Sequence, residues 1–344
     1  MFKPKKTVLG LDIGSSSIKA IEMIIKGNEY AISNYGQISV AGQEDLAAPL
    51  KELLLQMNVK SRRVATAISG REVIVRYISM PSIANDDLRK AVQFEADKYI
   101  PYDLHEVILD SQRLDESALG LGNTGEMKVL LVAAKRSLIE QRVQLLNQVS
   151  LAPFVIDVDS FALGNAFELK SILSPRAEVE GKVVALVDIG YSKTNINIMI
   201  GNNSFFTREI YLAGNEFTEE IQKKLEITPE EAEGCKKEPG IYALEIQEAI
   251  SSVVDDLANE ISLSFDYFEG QFEREVEEIY LSGGGSQLFS LEPDFERIFG
   301  KRINHWDPTE HFEILNDQVD VEALRLNAPQ LSIAVGLAAR IKDI

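Results

Sequence analysis

The sequence predicts an α/β protein of two lobes, each built around a mixed sheet. A strand that ends in Asp-x-Gly occurs twice, at Asp12–Gly14 and at Asp188–Gly190. The copies are offset by 176 residues in a chain of 344, and an alternating strand-like segment follows each of them. This length is enough for two sizeable cores. A repeat that spans half the chain therefore indicates two similar halves that face each other.

The first copy reads as a hairpin with the chemistry of a phosphate site. Gly14 lets the backbone approach a ligand closely, and the small serines after it leave the turn amides accessible. Lys19 supplies positive charge for phosphate oxygens. Asp12, at the strand end, is placed to hold a hydrated cation. The predicted phosphate loop comprises Asp12, Gly14, Ser15, Ser16, Ser17 and Lys19.

A single Asp-x-Gly turn is more often an ordinary hairpin, but the second copy favours a ligand site. Asp188 and Gly190 repeat Asp12 and Gly14. Two acidic hairpins facing one cleft would hold a nucleotide phosphate chain and Mg²⁺ from both sides. Asp12 and Asp188 are the predicted metal contacts, acting through water.

A third glycine-rich segment is predicted to touch the nucleotide. The short strand 279–281 runs directly into three glycines. Such a strand end lets a flat ring or a phosphate approach the backbone, although a merely flexible loop has the same composition. The residues concerned are Gly283, Gly284, Gly285 and Ser286.

The composition narrows the class of protein. The formal net charge of −19 argues against nucleic acid as a partner, because phosphate backbones require basic patches. A single cysteine, Cys235, excludes an internal disulfide and fits a reducing cytoplasm. No apolar run reaches the ~18 residues that a membrane span needs.

The remaining pattern alternates strands with helices. Residues 81–149 read as helix, strand, strand and helix, which indicates a compact inserted unit. A long amphipathic helix is predicted over 246–272 and a final helix over 331–341.

Five pieces, taken together and in this order, resemble the actin-like ATPase superfamily, which includes actin, the heat-shock chaperone ATPase domains and bacterial FtsA. They are two phosphate loops, two connecting helices and an adenosine loop. In this sequence they are Asp12–Lys19, Asp157–Gly164, Asp188–Gly190, Leu281–Ser286 and Leu331–Ala338. The resemblance implies an actin-like fold, a duplicated ribonuclease H-like core, with ATP and Mg²⁺ in the central cleft.

The resemblance also implies roles for single residues. Asp157 falls where many members carry the group that positions the attacking water, and it is the expected catalytic residue; Asp159, the next alternate position, is the other candidate. The segment around Glu233 resembles the helix that contacts ribose and adenine. The chain departs from the family at Ala213, where a glycine is typical. The implied nucleoside contacts are Gly214, Glu233, Lys236 and Lys237.

Within the superfamily, the chain resembles the PilM family of type IV pilus assembly proteins. The segments that carry this resemblance are Leu9–Lys19, Met80–Pro81, Glu95–Tyr102 and Asp157–Leu163. It implies a cytoplasmic scaffold that reaches the inner membrane only through its partners. The implied partners are the cytoplasmic N-terminal segment of PilN, held in a groove beside the inserted unit, and the pilus motor ATPases.

The family pattern also implies the domain boundaries. The first core subdomain is expected at 1–80, 150–182 and 330–344, and the inserted subdomain at 81–149. The second core subdomain is expected at 183–213 and 273–329, and a helical nucleotide-capping subdomain at 214–272.

Two alternatives keep the fold and change the function. A small-molecule kinase or phosphatase needs a second pocket with a positioned base, and only Asp157 or Asp159 offers one. An FtsA-like filament former usually ends in an amphipathic membrane helix, whereas this sequence stops directly after the predicted last connecting helix. Any ATP hydrolysis is expected to be slow, and a homo-oligomer is left open.

Overall fold

The computed structural model describes residues 6–26, 29–115, 125–173, 181–315 and 319–340. The sequence also predicts a flexible turn at 120–125 and a polar connection at 174–181, and both fall largely outside these residues. The strands in the described part are β1 Lys6–Ile13, β2 Ser17–Lys26, β3 Glu29–Ser39, β4 Arg63–Ile68, β5 Val73–Pro81, β6 Val107–Arg113, β7 Glu126–Lys135, β8 Ala152–Val158, β9 Val183–Ile189, β10 Thr194–Ile200, β11 Asn203–Ile210, β12 Glu278–Ser282, β13 Ile303–His305 and β14 Glu313–Ile314. The helices are α1 Ala47–Gln56, α2 Asn85–Glu95, α3 Arg136–Gln148, α4 Asp159–Leu173, α5 Gly214–Leu225, α6 Pro229–Lys237, α7 Ala243–Phe272, α8 Leu291–Phe299, α9 Val321–Asn327 and α10 Ser332–Ala338.

Two mixed sheets form the cores of the two lobes. The first has the strand order β14-β3-β2-β1-β4-β8, and the second has the order β11-β10-β9-β12-β13. In each sheet the Asp-x-Gly strand pairs antiparallel with its hairpin partner and parallel with a later strand. The prediction of two lobes with a mixed sheet in each is confirmed.

The helices α4 and α10 lie between the two sheets. One apolar cluster contains Val8 and Ile21 of the first sheet, Leu186 and Met199 of the second, and buried apolar residues of both helices. The helices cross so closely that a Cβ on Gly336 would clash with the carbonyl oxygen of Ala162. The lobes are therefore joined by a continuous packed layer.

The outer face of each sheet has its own helical cover. The apolar face of α7 packs on the second sheet, with Ile250, Leu257 and Ile261 fully buried at helical spacing. On the first sheet, Leu50 and Leu53 of α1 and Leu146 of α3 form a separate cluster with β1 and β4 residues.

The inserted unit differs from the prediction at both ends. The strand β5 belongs to a separate three-stranded sheet in the order β5-β7-β6, so the sheet of this unit begins at residue 73, within the segment assigned to the first core. Conversely, α3 packs on the first sheet through Leu146. Strand pairing is set by partners distant in sequence, which local patterns do not reveal.

The inserted sheet also contacts the second lobe. The Tyr77 hydroxyl lies 3.0 Å from the Ser204 hydroxyl, and Leu114 and Leu130 pack in the second-lobe cluster.

Of the described helices, none is long and apolar enough to cross a bilayer.

Candidate functional site: the cleft between the two hairpins

The two predicted phosphate loops close with the same backbone hydrogen bond. The Gly14 amide donates to the Ser17 carbonyl at 3.1 Å, and the Gly190 amide donates to the Lys193 carbonyl at 3.0 Å. With the offset of 176, these are equivalent positions. The duplication read from the sequence is therefore present in the backbone of the turns.

The two turns meet at their tips. The hydroxyl of Ser15 lies 2.8 Å from that of Ser192, a contact between residues 177 apart in sequence. The prediction that the hairpins face one another across a cleft is confirmed. Ser15 is exposed, Ser16 is half-buried and Ser17 is buried, so the accessible hydroxyl lies at the tip.

Asp12 is paired with a lysine. The two residues are opposite each other in the β1–β2 ladder, and Lys19 Nζ lies 3.0 Å from Asp12 Oδ2 with both side chains largely buried. Burial alone would lower the pKa of Lys19, but Asp12, and more weakly Asp188 and Asp159, raise it above its usual value. Lys19 therefore remains charged beside three carboxylates.

Asp188 is held by neutral donors. The hydroxyls of Ser282 and Ser332 donate to Oδ1 at 2.9 and 3.0 Å. Burial raises the pKa of Asp188; these hydrogen bonds and Lys19 oppose the rise, while the charge of Asp12 adds to it. Asp12 and Asp188 thus lie within electrostatic reach of each other on opposite sides of the cleft. Two such carboxylates suit a hydrated divalent cation.

Among the described residues, no group of three or more His, Cys, Asp and Glu side chains could hold a metal directly. Coordination mainly by water and phosphate oxygens, with one or two carboxylates, is the usual mode for Mg²⁺. The donor set at the cleft therefore fits Mg²⁺ held through water.

The structure does not bring Asp157 to the hairpins. Its carboxylate, which lies at the end of β8, accepts hydrogen bonds from Arg340 and Asn165. Burial raises the pKa of Asp157, and Arg340 is the main opposing influence. The backbone turns from strand into helix at Val158, which breaks the side-chain alternation. The catalytic role of Asp157 stays a prediction; in the structure its carboxylate is engaged by Arg340 and Asn165 and not by either hairpin.

Asp159, at the start of α4, is the acid that reaches the cleft. Its Oδ2 lies 2.7 Å from Lys193 Nζ in the second hairpin. Lys193 also contacts Glu209 at 3.2 Å, and Glu209 accepts from the Gly70 amide at 2.9 Å. Burial lowers the pKa of Lys193, but the two acids outweigh it and the pKa is raised. Lys193 thus links α4 of the first lobe to the second hairpin.

The glycine-rich segment packs directly on the second hairpin. Gly283 has φ +86°, and a Cβ at this position would clash with the Ile189 carbonyl. A Cβ on Gly285 would clash with the Ile189 side chain. Gly284 faces Gln330, and the hydroxyl of the buried Ser286 closes the turn by donating to the Gly283 carbonyl at 2.7 Å. Only glycine fits this close approach.

The nucleoside residues implied by the resemblance converge only in part. The Gly214 amide donates to the Gly190 carbonyl at 3.0 Å, which places the start of α5 on the second hairpin. Lys236 is buried nearby, where burial lowers its pKa, and its Nζ lies 2.7 Å from Glu233 Oε1. Lys237, the next residue, is exposed. Gly214, Glu233 and Lys236 thus form one side of the cleft, and Lys237 faces solvent.

Several residues of the cleft were missed as individual predictions. Lys193, Ser282 and Ser332 lie inside segments that the sequence singled out, but their partners are distant in sequence. Asn195 is opposite Asp188 in the β9–β10 ladder, and its buried Oδ1 has no hydrogen-bond partner in the described part of the chain. A polar residue opposite each loop aspartate is the signal that would have found Asn195.

A second cavity lies between the inserted sheet and the lobes. Its volume is about 480 Å³. It is bounded by β6, by the β8–α4 junction with Asp157, by Arg340, and by the β10–β11 turn. Among the described strands, β6 is an edge strand of the inserted sheet, so the ladders of the described residues leave its outer edge open to an extended segment.

Comparisons with known proteins agree with this architecture. The family model for the type IV pilus assembly protein PilM matches residues 10–342. The chain belongs to the PilM family. A solved PilM-PilN type IV pilus biogenesis complex contains a chain 29% identical to this one, with TM-score 0.83 over 97% of this chain and 98% of the other.

Other PilM-like folds are more distant in sequence. EutJ, the ethanolamine utilization protein from Carboxydothermus hydrogenoformans, gives TM-score 0.56 at 14% identity over 98% of this chain and 90% of its own. MreB5 of Spiroplasma citri bound to ADP gives TM-score 0.55 at 12% identity over 98% and 97%. These similarities place the chain in the actin-like ATPase fold.

Proposed function

We propose that this PilM-family chain binds ATP with Mg²⁺ between the two hairpins. The observation that carries the proposal is the contact of the two turn tips, which brings Asp12 and Asp188 into one cleft. In this arrangement the turn amides that follow Gly14 face the phosphates, Lys19 supplies charge, and the two aspartates hold metal-bound water. The Gly283–Gly285 segment and Lys236 border the nucleoside end.

The test of this part is the magnesium dependence of nucleotide affinity. Calorimetry with ATP, in Mg²⁺ and in EDTA, should show binding that is tighter with the metal. Asp12→Asn should reduce the magnesium-dependent part. Unchanged affinity in Asp12→Asn would remove Asp12 from the metal site.

We propose further that the 480 Å³ cavity receives the N-terminal cytoplasmic segment of PilN. The similar solved chain comes from a PilM-PilN complex. The free edge of β6 can pair with an extended peptide, while Ser111 and Leu114 of this region and Phe161 of α4 line the space for its side chains. The protein then acts as a cytoplasmic scaffold that reaches the inner membrane through PilN and links it to the pilus motor ATPases.

A matched pair of variants on β6 tests this assignment. Ser111→Trp fills the cavity and should weaken binding of a fluorescent PilN N-terminal peptide at least about tenfold, the equivalent of ~1.4 kcal/mol. Ile108, which is 39% exposed on the same strand, does not line the cavity. Ile108→Trp should therefore bind the peptide normally. Equal affinities for the two variants would place the PilN site elsewhere.

A further inference from the structure

The strands β5 and β11 face each other where the inserted sheet meets the second lobe. Among the described strands, β5 lies at one edge of the inserted sheet and β11 at one edge of the second sheet. The Gly70 amide, just before β5, donates to the Glu209 carboxylate at 2.9 Å. Further along, the Tyr77 hydroxyl lies 3.0 Å from the Ser204 hydroxyl. The strands therefore run antiparallel between these two bridges, and we call the space between them the β5–β11 groove.

Two adjoining cavities occupy the β5–β11 groove. Their volumes are about 350 and 390 Å³, within the range of ligand clefts. Val75 and Arg76 of β5 and Thr207 and Arg208 of β11 line both cavities, so the cavities follow one another along the strands. In the described residues no ladder joins β5 to β11. Open strand edges of this kind pair with extended segments of other chains.

The first of these cavities is rich in positive charge, although the whole chain has a net charge of −19. Its charged lining residues within the described chain are three arginines and one acid. The acid, Glu209, already lies 3.2 Å from Lys193. One of the arginines, Arg208, is also engaged, because its Nη2 lies 2.5 Å from Glu260. The charged lining residues are Arg71, Arg76, Arg208 and Glu209.

The other two arginines remain available to an added anion. Arg71 and Arg76 are exposed, and within the described residues neither makes an ion pair within 4.0 Å. The Arg71 guanidinium lies 4.9 Å over the Tyr211 ring, and Arg76 Nη1 donates to the Val75 carbonyl at 2.9 Å. These contacts place both guanidinium groups along the groove. Arginine binds carboxylates through strong, charge-assisted hydrogen bonds, so acidic side chains fit this end.

The second cavity has an apolar wall that the fold leaves uncovered. Leu263 and Tyr267, one turn apart on α7, line this cavity and are 54% and 63% exposed. The Tyr267 ring lies 5.5 Å from the ring of Phe206 in β11. Large exposed apolar side chains beside a cavity are typical of interaction surfaces. This end of the groove therefore suits an apolar side chain.

We propose that the β5–β11 groove binds an extended acidic segment of a partner protein. Arg71 and Arg76 contact carboxylates of the segment, its backbone runs along the two strand edges, and one of its apolar side chains packs on Leu263 and Tyr267. The site is separate from the cavity proposed for PilN, which lies at β6, the opposite edge of the inserted sheet. The inserted sheet then has one binding site at each edge.

The experiment measures the affinity of the full chain for a fluorescently labelled octapeptide in which glutamate alternates with leucine. Arg76→Glu should weaken binding at least about tenfold, because an attraction becomes a repulsion. Arg89→Glu changes the net charge equally on the exposed face of α2 and should bind the peptide as the wild type does. Tyr267→Ser should weaken binding about threefold through the lost apolar contact. Replacing each glutamate of the peptide by glutamine should weaken its binding to the wild type.

Three results would overturn the proposal. The first is a wild-type chain that leaves the glutamate peptide unbound at about 1 mM. The second is an equal loss in Arg76→Glu and Arg89→Glu, since the charge then acts at long range and not in the groove. The third is self-association of the wild type that Arg76→Glu abolishes without any peptide binding, since a second copy of the chain then occupies the groove.

Two further variants keep the test independent of folding and of the PilN assignment. If Arg76→Glu lowers the melting temperature, Arg71→Glu decides, and unchanged peptide affinity in that variant rejects the proposal. Ser111→Trp fills the cavity at β6 and should bind the glutamate peptide normally. A loss of that binding in Ser111→Trp would place the acidic segment at β6 and reject the β5–β11 groove as its site.

Discussion

The two hairpins share a turn and differ in how each stabilises its aspartate. Both turns close with an amide-to-carbonyl hydrogen bond between equivalent residues. Opposite Asp12 stands Lys19, which forms an ion pair with it, whereas opposite Asp188 stands the neutral Asn195. Asp188 instead accepts from two serine hydroxyls on distant segments. The same turn thus holds an aspartate paired with a lysine in the first lobe and an aspartate bonded to neutral hydroxyls in the second.

This difference explains how two acids can lie in one cleft. Two unpaired carboxylates close together raise each other's pKa. Asp12 is paired with Lys19, whereas no cation of the described residues lies within 4.0 Å of Asp188, so added positive charge is most favourable beside Asp188. We expect the metal to balance Asp188, while Lys19 is shared between Asp12 and a phosphate.

The largest expected effect concerns the glycine segment Gly283–Gly285, which packs on the second hairpin. Gly283→Ala places a Cβ against the Ile189 carbonyl in a left-handed backbone, and it should cost about 3 kcal/mol of unfolding free energy, from overpacking and strain together. Gly14→Ala, in the turn of the first hairpin, is the comparison, because the nearest atom to its added Cβ would be 3.0 Å away. It should cost about 1 kcal/mol. Urea denaturation measures both, and equal losses would contradict the asymmetry.

The next largest effect on the unfolding free energy is expected from substituting the residues opposite the two aspartates, Lys19 and Asn195. Lys19→Met leaves a nearly buried carboxylate without its cation and should cost about 3 kcal/mol. Asn195→Leu removes a buried amide whose Oδ1 has no partner, so it should change the unfolding free energy by less than about 1 kcal/mol. The double variant Lys19→Met/Asp12→Asn should recover part of the loss. A larger loss in Asn195→Leu than in Lys19→Met would reverse the comparison.

A smaller difference in unfolding free energy is expected between Asp188→Asn and Asp12→Asn, although both should weaken ligand binding. Asp188→Asn keeps an oxygen that accepts from Ser282 and Ser332, so the unfolding free energy should change little or rise, because a buried charge is removed. Asp12→Asn leaves Lys19 unpaired and should lower it by about 1–2 kcal/mol. Both variants should weaken Mg²⁺–ATP binding about tenfold. Thermal denaturation and calorimetry on the same samples would expose a variant that violates this pattern.

How much of this was predictable depends on how local each determinant is. The hairpins and the long helix α7 follow from runs of alternating or helically spaced apolar residues, and such runs were read correctly. The elements α8, β13, β14 and α9 are short, and their apolar residues do not establish a period. The sheet membership of β5 depends on pairing with β7 across the chain, which no local pattern specifies.

The site was predictable in kind but not in every residue. Asp12, Asp188, Gly190 and Gly283 could be proposed from the sequence because strand ends and glycines carry a local signal. Choosing between Asp157 and Asp159 requires knowing where β8 gives way to α4, and boundaries shift by a residue or two even in good predictions.

The smallest expected effect is a shift in pH dependence at the second hairpin. Burial raises the pKa of Asp188 and the Ser282 hydroxyl opposes this, so Ser282→Ala should raise the pKa further. Since the ionised carboxylate binds the hydrated metal, Mg²⁺–ATP affinity should start to fall at a higher pH in Ser282→Ala as the solution is acidified. Ser286→Ala removes a hydroxyl bonded to Gly283 instead and should leave the wild-type profile unchanged.

The raised pKa of Asp188 also determines how the unfolding free energy changes with pH. A carboxyl whose folded pKa lies above the unfolded value of 3.8 binds more protons in the folded state between the two values. Its contribution to folding is therefore present below 3.8 and is lost as the pH rises through the folded pKa. Ser282→Ala should extend that loss to higher pH, and Asp188→Asn should abolish it. If nucleotide affinity in Ser282→Ala follows the wild-type pH profile, Asp188 ionisation does not limit metal binding. The metal then does not neutralise the charge of Asp188.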